Sequence, residues 1–176
     1  LLISLLLLMA IGAGCGVAFR DPLTLMAKDV FLQFGSMGLV IGTLITDTSP
    51  LPLTSEPVAI IGIAAGVPIW KIIVIMGATS HLCGPLGYGC GKLLGKIPGL
   101  KDKLQKKQPE LFDWVKRNGV KGVAFAAILP IPYALSTWIS GLVGISFWGI
   151  FWVSSLRWVK TALYTGIFAG GWFLGN

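Results

Sequence analysis

Apolar residues in this chain run together in blocks long enough to cross a bilayer: Leu1–Phe19, roughly Val30–Thr46, Trp70–Gly91 and Phe147–Trp172. A hydrocarbon core about 30 Å thick takes about 20 such residues in helical form. Between the blocks lie two stretches, about 51–69 and 122–143, that are apolar but interrupted. The first meets two prolines and an acid before it is half done, so neither half spans alone. Proline removes a helix donor and clashes with the preceding turn. Lipid cannot satisfy the freed backbone groups, so such breaks survive only against protein or a water-filled cavity. Both stretches are therefore expected to be re-entrant hairpins, which enter the bilayer and leave on the same side.

The two interrupted stretches match one another. Pro50-Leu51-Pro52-Leu53-Thr54-Ser55 recurs about eighty residues later as Pro130-Ile131-Pro132-Tyr133-Ala134-Leu135-Ser136-Thr137. Gly66-Val67-Pro68-Ile69-Trp70 recurs as Gly144-Ile145-Ser146-Phe147-Trp148, and a long apolar run follows each. Proline-broken segments at corresponding places in two halves point to the binding site of a transporter. The expected fold is an all-α integral membrane protein. Two N-terminal helices (1–46) precede a core (47–176) with hairpin 1 at about 50–69, a span at 70–91, a basic loop at 92–121, hairpin 2 at about 122–143 and a span at 147–172. Pro50, Pro52, Pro130, Pro132 and Tyr133 mark hairpin tips that face each other at the midplane.

Composition agrees: 55% of residues are apolar and 12% charged, with a mean hydropathy of +0.82. The net charge of +7 is concentrated, since residues 92–121 hold nine basic residues against three acids. Nucleic-acid binding is the usual thought for a basic chain, but the positive-inside rule explains these residues more simply. The loop is expected in the cytoplasm. Within it a short helix from Pro109, with Leu111, Trp114 and Val115 on one face and Asn118-Gly119 at its end, is expected to lie at the membrane surface. From that anchor the 70–91 span runs inward, the two halves are inverted copies, and the N-terminus lies outside. Reading Leu1–Phe19 as a signal peptide is the alternative.

No Walker loop, GxSxG motif, HExxH motif or paired catalytic carboxylates occur, so no enzymatic activity is expected. Cys83 and Cys90 stand seven apart on one helix, about 10 Å, too far for a disulfide. His81 with Cys83 lacks the further ligands of a metal site; no metal or other cofactor is expected. What remains are ionisable groups within apolar sequence, costly there and by default functional. Glu56 falls just after the first proline pair. Arg157 lies nine residues past Trp148, roughly 14 Å into the bilayer, with Lys160 a turn further on the same face. His81 lies eleven residues past Trp70, roughly 16 Å deep, answering Arg157 in the repeat. Asp47 closes the second span near the outer surface. Glu56 and Arg157 are expected to share one polar cavity, either as transport groups or as a buried structural pair.

The run Leu53-Thr54-Ser55-Glu56-Pro57, the segment Gly84-Pro85-Leu86-Gly87-Tyr88-Gly89-Cys90-Gly91-Lys92-Leu93-Leu94-Gly95, and Asn118-Gly119 before Leu129-Pro130-Ile131-Pro132 occur in that order. Together they resemble the DedA family of membrane proteins, with its VTT (SNARE-associated) domain, over roughly residues 40–172. The resemblance implies two facing re-entrant hairpins within a helical bundle. It implies transport of undecaprenyl phosphate, as linked to bacterial members, or phospholipid scrambling, as linked to eukaryotic relatives. Glu56 matches the family's acidic residue. The family often carries Arg at the places held here by Ala127 and Tyr133, and an acid near Leu44, for which Asp47 is an approximate substitute. Arg157 and Lys160 would then supply the positive charge, as in a small, divergent member.

The expected function is that of a flippase for an anionic lipid headgroup, a polyprenyl phosphate or a phospholipid, with protons as the candidate coupling ion. An ion or small-solute transporter of the same fold, and a non-transporting membrane-organising protein, are the alternatives. The expected setting is a prokaryotic plasma membrane or, alternatively, a eukaryotic endomembrane; homo-oligomerisation is left open.

Overall fold

The computed structural model of the chain describes residues 29, 33–49, 55–107, 109–128 and 133–174. The expected first span, Leu1–Phe19, and the four prolines Pro50, Pro52, Pro130 and Pro132 lie outside the described residues. All described elements are α-helices: α1 Ser36–Thr48, α2 Glu56–Ala64, α3 Ile69–Leu94, α4 Leu100–Lys107, α5 Pro109–Ile128, α6 Tyr133–Val143, α7 Phe147–Ser154 and α8 Leu156–Leu174. Among the described residues α3 alone is long and apolar enough to cross a membrane. At 1.5 Å per residue its length is roughly 39 Å.

Two helix pairs flank α3 from opposite ends. In the first, Gly42 of α1 sits against Val58 of α2, and Gly62 of α2 sits against Leu39 of α1. This is an antiparallel pair closing through 49–55. Its open end packs with Val67, Ile72 and Met76 around one apolar cluster. In the second pair, Phe112 and Val115 of α5 cluster with Ile139 and Leu142 of α6. Val123, Ala126 and Ala127 cluster with Tyr133. That pair is also antiparallel, closing through 129–132.

The same turn leads each pair into its long helix. Gly66 and Gly144 hold φ of 79° and 76°, a left-handed conformation that a Cβ disfavours. The N–H groups of Val67 and Ile145 donate to the carbonyls of Gly62 and Ser140, each at 3.0 Å. These are the six-to-one bonds of a helix end terminated by glycine. With these turns superposed, the residue opposite Arg157 is Thr79, and His81 falls opposite Val159. The turn geometry thus corrects the expected match of His81 to Arg157.

Glycine sets how close the helices come. A Cβ at Gly84 would meet Ser154 and Tyr133, one at Gly87 would meet Thr137, and one at Gly91 would overlap the Trp138 carbonyl. Gly141 returns the contact onto the Tyr88 carbonyl. Rising residue numbers meet rising numbers, so α3 and α6 run parallel, their backbones brought together by small residues as in membrane helix pairs. The α7–α8 strut runs the other way: Phe147 meets Tyr88, Ser154 faces Gly84, Trp158 covers Gly77, and Ala169 reaches the Ile72 cluster.

Several expected boundaries change. The block at 30–46 appears as α1, which begins after Gly35 (φ 53°); it forms one limb of the first hairpin instead of a separate span. Its 13 residues make only about 20 Å. Expected hairpin 1 (50–69) contributes the other limb, α2, and the turn. The run at 147–172 is two helices meeting at Ser155, whose backbone stays helical and whose N–H donates to Trp152 and Val153 carbonyls. In the basic loop, by contrast, Gly119 (φ 55°, ψ −134°) is non-helical and divides α5 into two helices across a kink, in agreement with the expected stop at Asn118-Gly119. The apolar face of α5 carries Phe112 and Val115 into the core against α6. Of the face expected to meet the membrane surface, Val115 is buried against Ile139 and Leu142, while Leu111 and Trp114 are half-buried.

Candidate functional site

Proline ends α1 and begins α2. Ser49 is extended after Asp47-Thr48, as a residue before proline must be, and Pro57 occupies the first turn of α2. This puts Asp47 at the last turn of one limb and Glu56 at the first turn of the other. Both face α8.

Arg157 donates from Nη2 to Asp47 Oδ2 at 2.5 Å and from Nε to Ser80 Oγ at 2.7 Å. Ser80 Oγ in turn donates to the same carboxylate oxygen. Side-chain exposure is 3% for Arg157 and 5% for Asp47. Asp47 is therefore a buried partner and does not sit at an outer surface, because the chain turns after α1 at the middle of α3 and not beyond its end. Lys160, one turn on from Arg157, is ion-paired with Glu56 at 3.2 Å, with exposures of 12% and 17%. Lys160 thus reaches into the protein and does not snorkel outward. Two carboxylates and two cations neutralise one another.

The second helix pair contributes Tyr133. Its ring lies 4.8 Å from the Arg157 guanidinium carbon, and its hydroxyl shares a 2.7 Å hydrogen bond with Ser154 Oγ. Arg157 therefore touches the end of α1 through Asp47 and the beginning of α6 through Tyr133. Ser80 and Gly84, the α3 residues beside these two contacts, are one helical turn apart, about 6 Å. Both helix pairs converge on the middle of α3.

A cavity of about 20 Å³ opens beside the charges, lined by Ser55, Glu56, Met76, Arg157, Lys160 and Tyr164, among others. Glu56 and Arg157 do share it, although each has a different ion-pair partner. Space of this size holds about one water. His81 stands apart: its ring meets Phe151 edge-on at 4.9 Å, its Nδ1 has no hydrogen-bond partner, and it does not line the cavity.

Sequence reasoning undervalued Asp47 and did not single out Ser80. The available signal was spacing. Asp47 ends a helix three residues before a proline, and Ser80 lies in a long apolar helix where a hydroxyl needs a partner. Comparison with protein-family models, curated proteins and solved structures finds no match to this chain.

Proposed function

We propose that this chain is a multi-pass membrane protein that carries an anionic lipid headgroup across the bilayer, using Arg157 and Lys160 as phosphate-binding cations. One observation carries the reading. A buried cation, Arg157, and a half-buried one, Lys160, each held by its own carboxylate, border a small cavity where two helix pairs converge. The DedA-like order of motifs points the same way.

A membrane setting is supported by the aromatic and aliphatic surface. Trp70, Leu82, Leu86, Leu93, Trp148, Trp152 and Val159 are all exposed, which is unusual for a protein surrounded by water. Trp70 begins α3, and Phe147 beside Trp148 packs on Tyr88 near the other end of α3. Eighteen residues of helix separate these levels, roughly 27 Å at the helical rise, close to the hydrocarbon thickness. Tryptophans at both interfaces are the expected belts. In this reading the helix pairs are re-entrant hairpins and their tips sit near mid-depth.

The chemistry is exchange of partners. With both cations neutralised, a phosphate competes with Asp47 and Glu56 for them. Protonating Glu56 releases Lys160, whose ammonium then donates to a phosphate oxygen; the Arg157 fork provides directed donors beside it. A cavity of about 20 Å³ is too small for a headgroup, so loading requires the helix pairs to part while the acyl or prenyl tails stay in lipid. This conformation is then the closed state.

Flux in liposomes tests the proposal, comparing labelled polyprenyl phosphate, phospholipids and a small soluble anion. Lipid flux that rises on acidifying the loading side is expected. The folded double variant Glu56→Gln, Lys160→Gln leaves the Arg157–Asp47 pair intact and should lose that flux. Normal lipid flux in that variant would remove the site from the mechanism. Flux of the soluble anion alone would favour a small-solute carrier.

A further inference from the structure

The basic segment builds a second, separate anion site. Helices α4 and α5 and the α6–α7 turn enclose a cavity of about 230 Å³, lined by Lys101, Gln105, Phe112, Lys116, Val143, Gly144 and Ile145. We infer that this cavity binds a phosphate group, the headgroup of an anionic lipid or a small soluble phosphate ester. The two lysines come from different helices, and Gln105 adds an amide that can donate.

Among the described residues no carboxylate lines the cavity, although Asp102, Glu110 and Asp113 are close in sequence. The first turn of α4 carries Lys101 together with Asp102, and a helix adds partial positive charge at that end. At the opposing end of α6 the Ser140 carbonyl is taken by the Ile145 N–H. Phe112, almost fully buried, forms an apolar floor that anchors the lysine-bearing faces.

Size narrows the occupant. A volume of about 230 Å³ falls below the roughly 300–1,000 Å³ of sites for drug-sized ligands, yet holds several waters at about 30 Å³ each. A phosphate with a glycerol fits, and a nucleotide does not. Val143 and Ile145 give one wall an apolar character, and the α7 aromatics Phe147 and Trp148 follow directly, so a headgroup entering from the bilayer would keep its chains in lipid. Only this lipid arm rests on the membrane reading; the pocket itself does not depend on transport.

The test is binding, not flux, on the detergent-purified full chain. Native mass spectrometry with phosphatidic acid, phosphatidylglycerol and phosphatidylcholine reads the lipid arm, and titration with glycerol 3-phosphate reads the soluble one. Lys101→Gln with Lys116→Gln should weaken anion binding by about tenfold or more, the loss expected for charge-assisted hydrogen bonds. Lys106→Gln with Lys107→Gln removes the same charge from outside the cavity and should change binding little. Lys101→Arg with Lys116→Arg should retain it. Retention of anionic lipids without glycerol 3-phosphate binding identifies a lipid site, and comparable binding of both identifies a phosphate-ester site. Equal losses in the two glutamine pairs, or no loss in either, would overturn the inference. Because Glu56, Lys160, Asp47 and Arg157 remain unchanged, failure here leaves the flux result standing, and the reverse also holds.

Discussion

At the residue scale, the two ion pairs differ in what they do for the fold. Asp47 and Arg157 are nearly excluded from solvent and tied through Ser80. Removing one partner of such a pair leaves a buried charge, which typically costs about 3–5 kcal/mol. Asp47→Asn should therefore lower the unfolding temperature in detergent markedly, whereas Glu56→Gln, beside a more accessible Lys160, should lower it much less. Equal shifts would mean that burial does not rank the pairs. Tyr133 offers a finer separation. Tyr133→Phe deletes the hydroxyl bonded to Ser154 and should cost about 1 kcal/mol, while leaving the ring against Arg157. Tyr133→Ala also opens a cavity in a packed site and should cost about 3–5 kcal/mol. Denaturation of the purified variants reads both.

At the element scale, α3 is a spine whose glycine face admits α6. The contacts at Gly87 and Gly91 reach side-chain and backbone atoms of Thr137 and Trp138, so there is nowhere for a methyl group to go. Gly91→Ala should separate the helices or abolish folding. Gly89 faces open space, and Gly89→Ala should be neutral or stabilise by up to about 1 kcal/mol through helix propensity. A Gly91→Ala protein as stable as its Gly89→Ala counterpart would contradict close backbone packing. Pro85 sits within the same helix and removes the donor that would satisfy the His81 carbonyl. Of the described elements, α3 also bears contacts from both helix pairs, which makes it the fixed reference for any movement of the other parts.

At the scale of the whole molecule, two units of the same form, helix pair, glycine turn and long helix, run in opposite directions. Each contributes to one charged centre: the first gives Asp47, Glu56 and Ser80, the second Tyr133, Arg157 and Lys160. Under the proposed function, one unit would rock against the other while Arg157 retains or exchanges its contacts, as alternating access requires. In the proposed membrane setting, the positive-inside rule would put the end that carries the basic helices α4 and α5 in the cytoplasm. A cysteine replacing Lys106 should react with an impermeant maleimide only from the cytoplasmic side; labelling from outside the cell alone would reverse the orientation.

How much of this was legible without coordinates depends on the range of the interaction. The glycine turns at Gly66 and Gly144, the proline boundaries around α1, α2 and α6, and the apolar length of α3 follow from backbone restrictions and hydrophobic runs, which act over a few residues. The grouping of Glu56, Arg157 and Lys160 also followed, because charge inside apolar sequence demands a partner. Partner choice did not follow. Arg157 selects Asp47 and Lys160 selects Glu56 because the first limb is α1, a pairing across more than a hundred residues that no local pattern encodes. The same long-range packing turned the face of Phe112 and Val115 inward and moved His81 out of the centre, since a one-face helical position is ambiguous until its neighbour is known. Sequence by itself determined that the chain is helical and which charges must be reconciled. Tertiary structure decided which surfaces meet, because close approach and charge pairing are settled only when distant glycines and side chains share the same space.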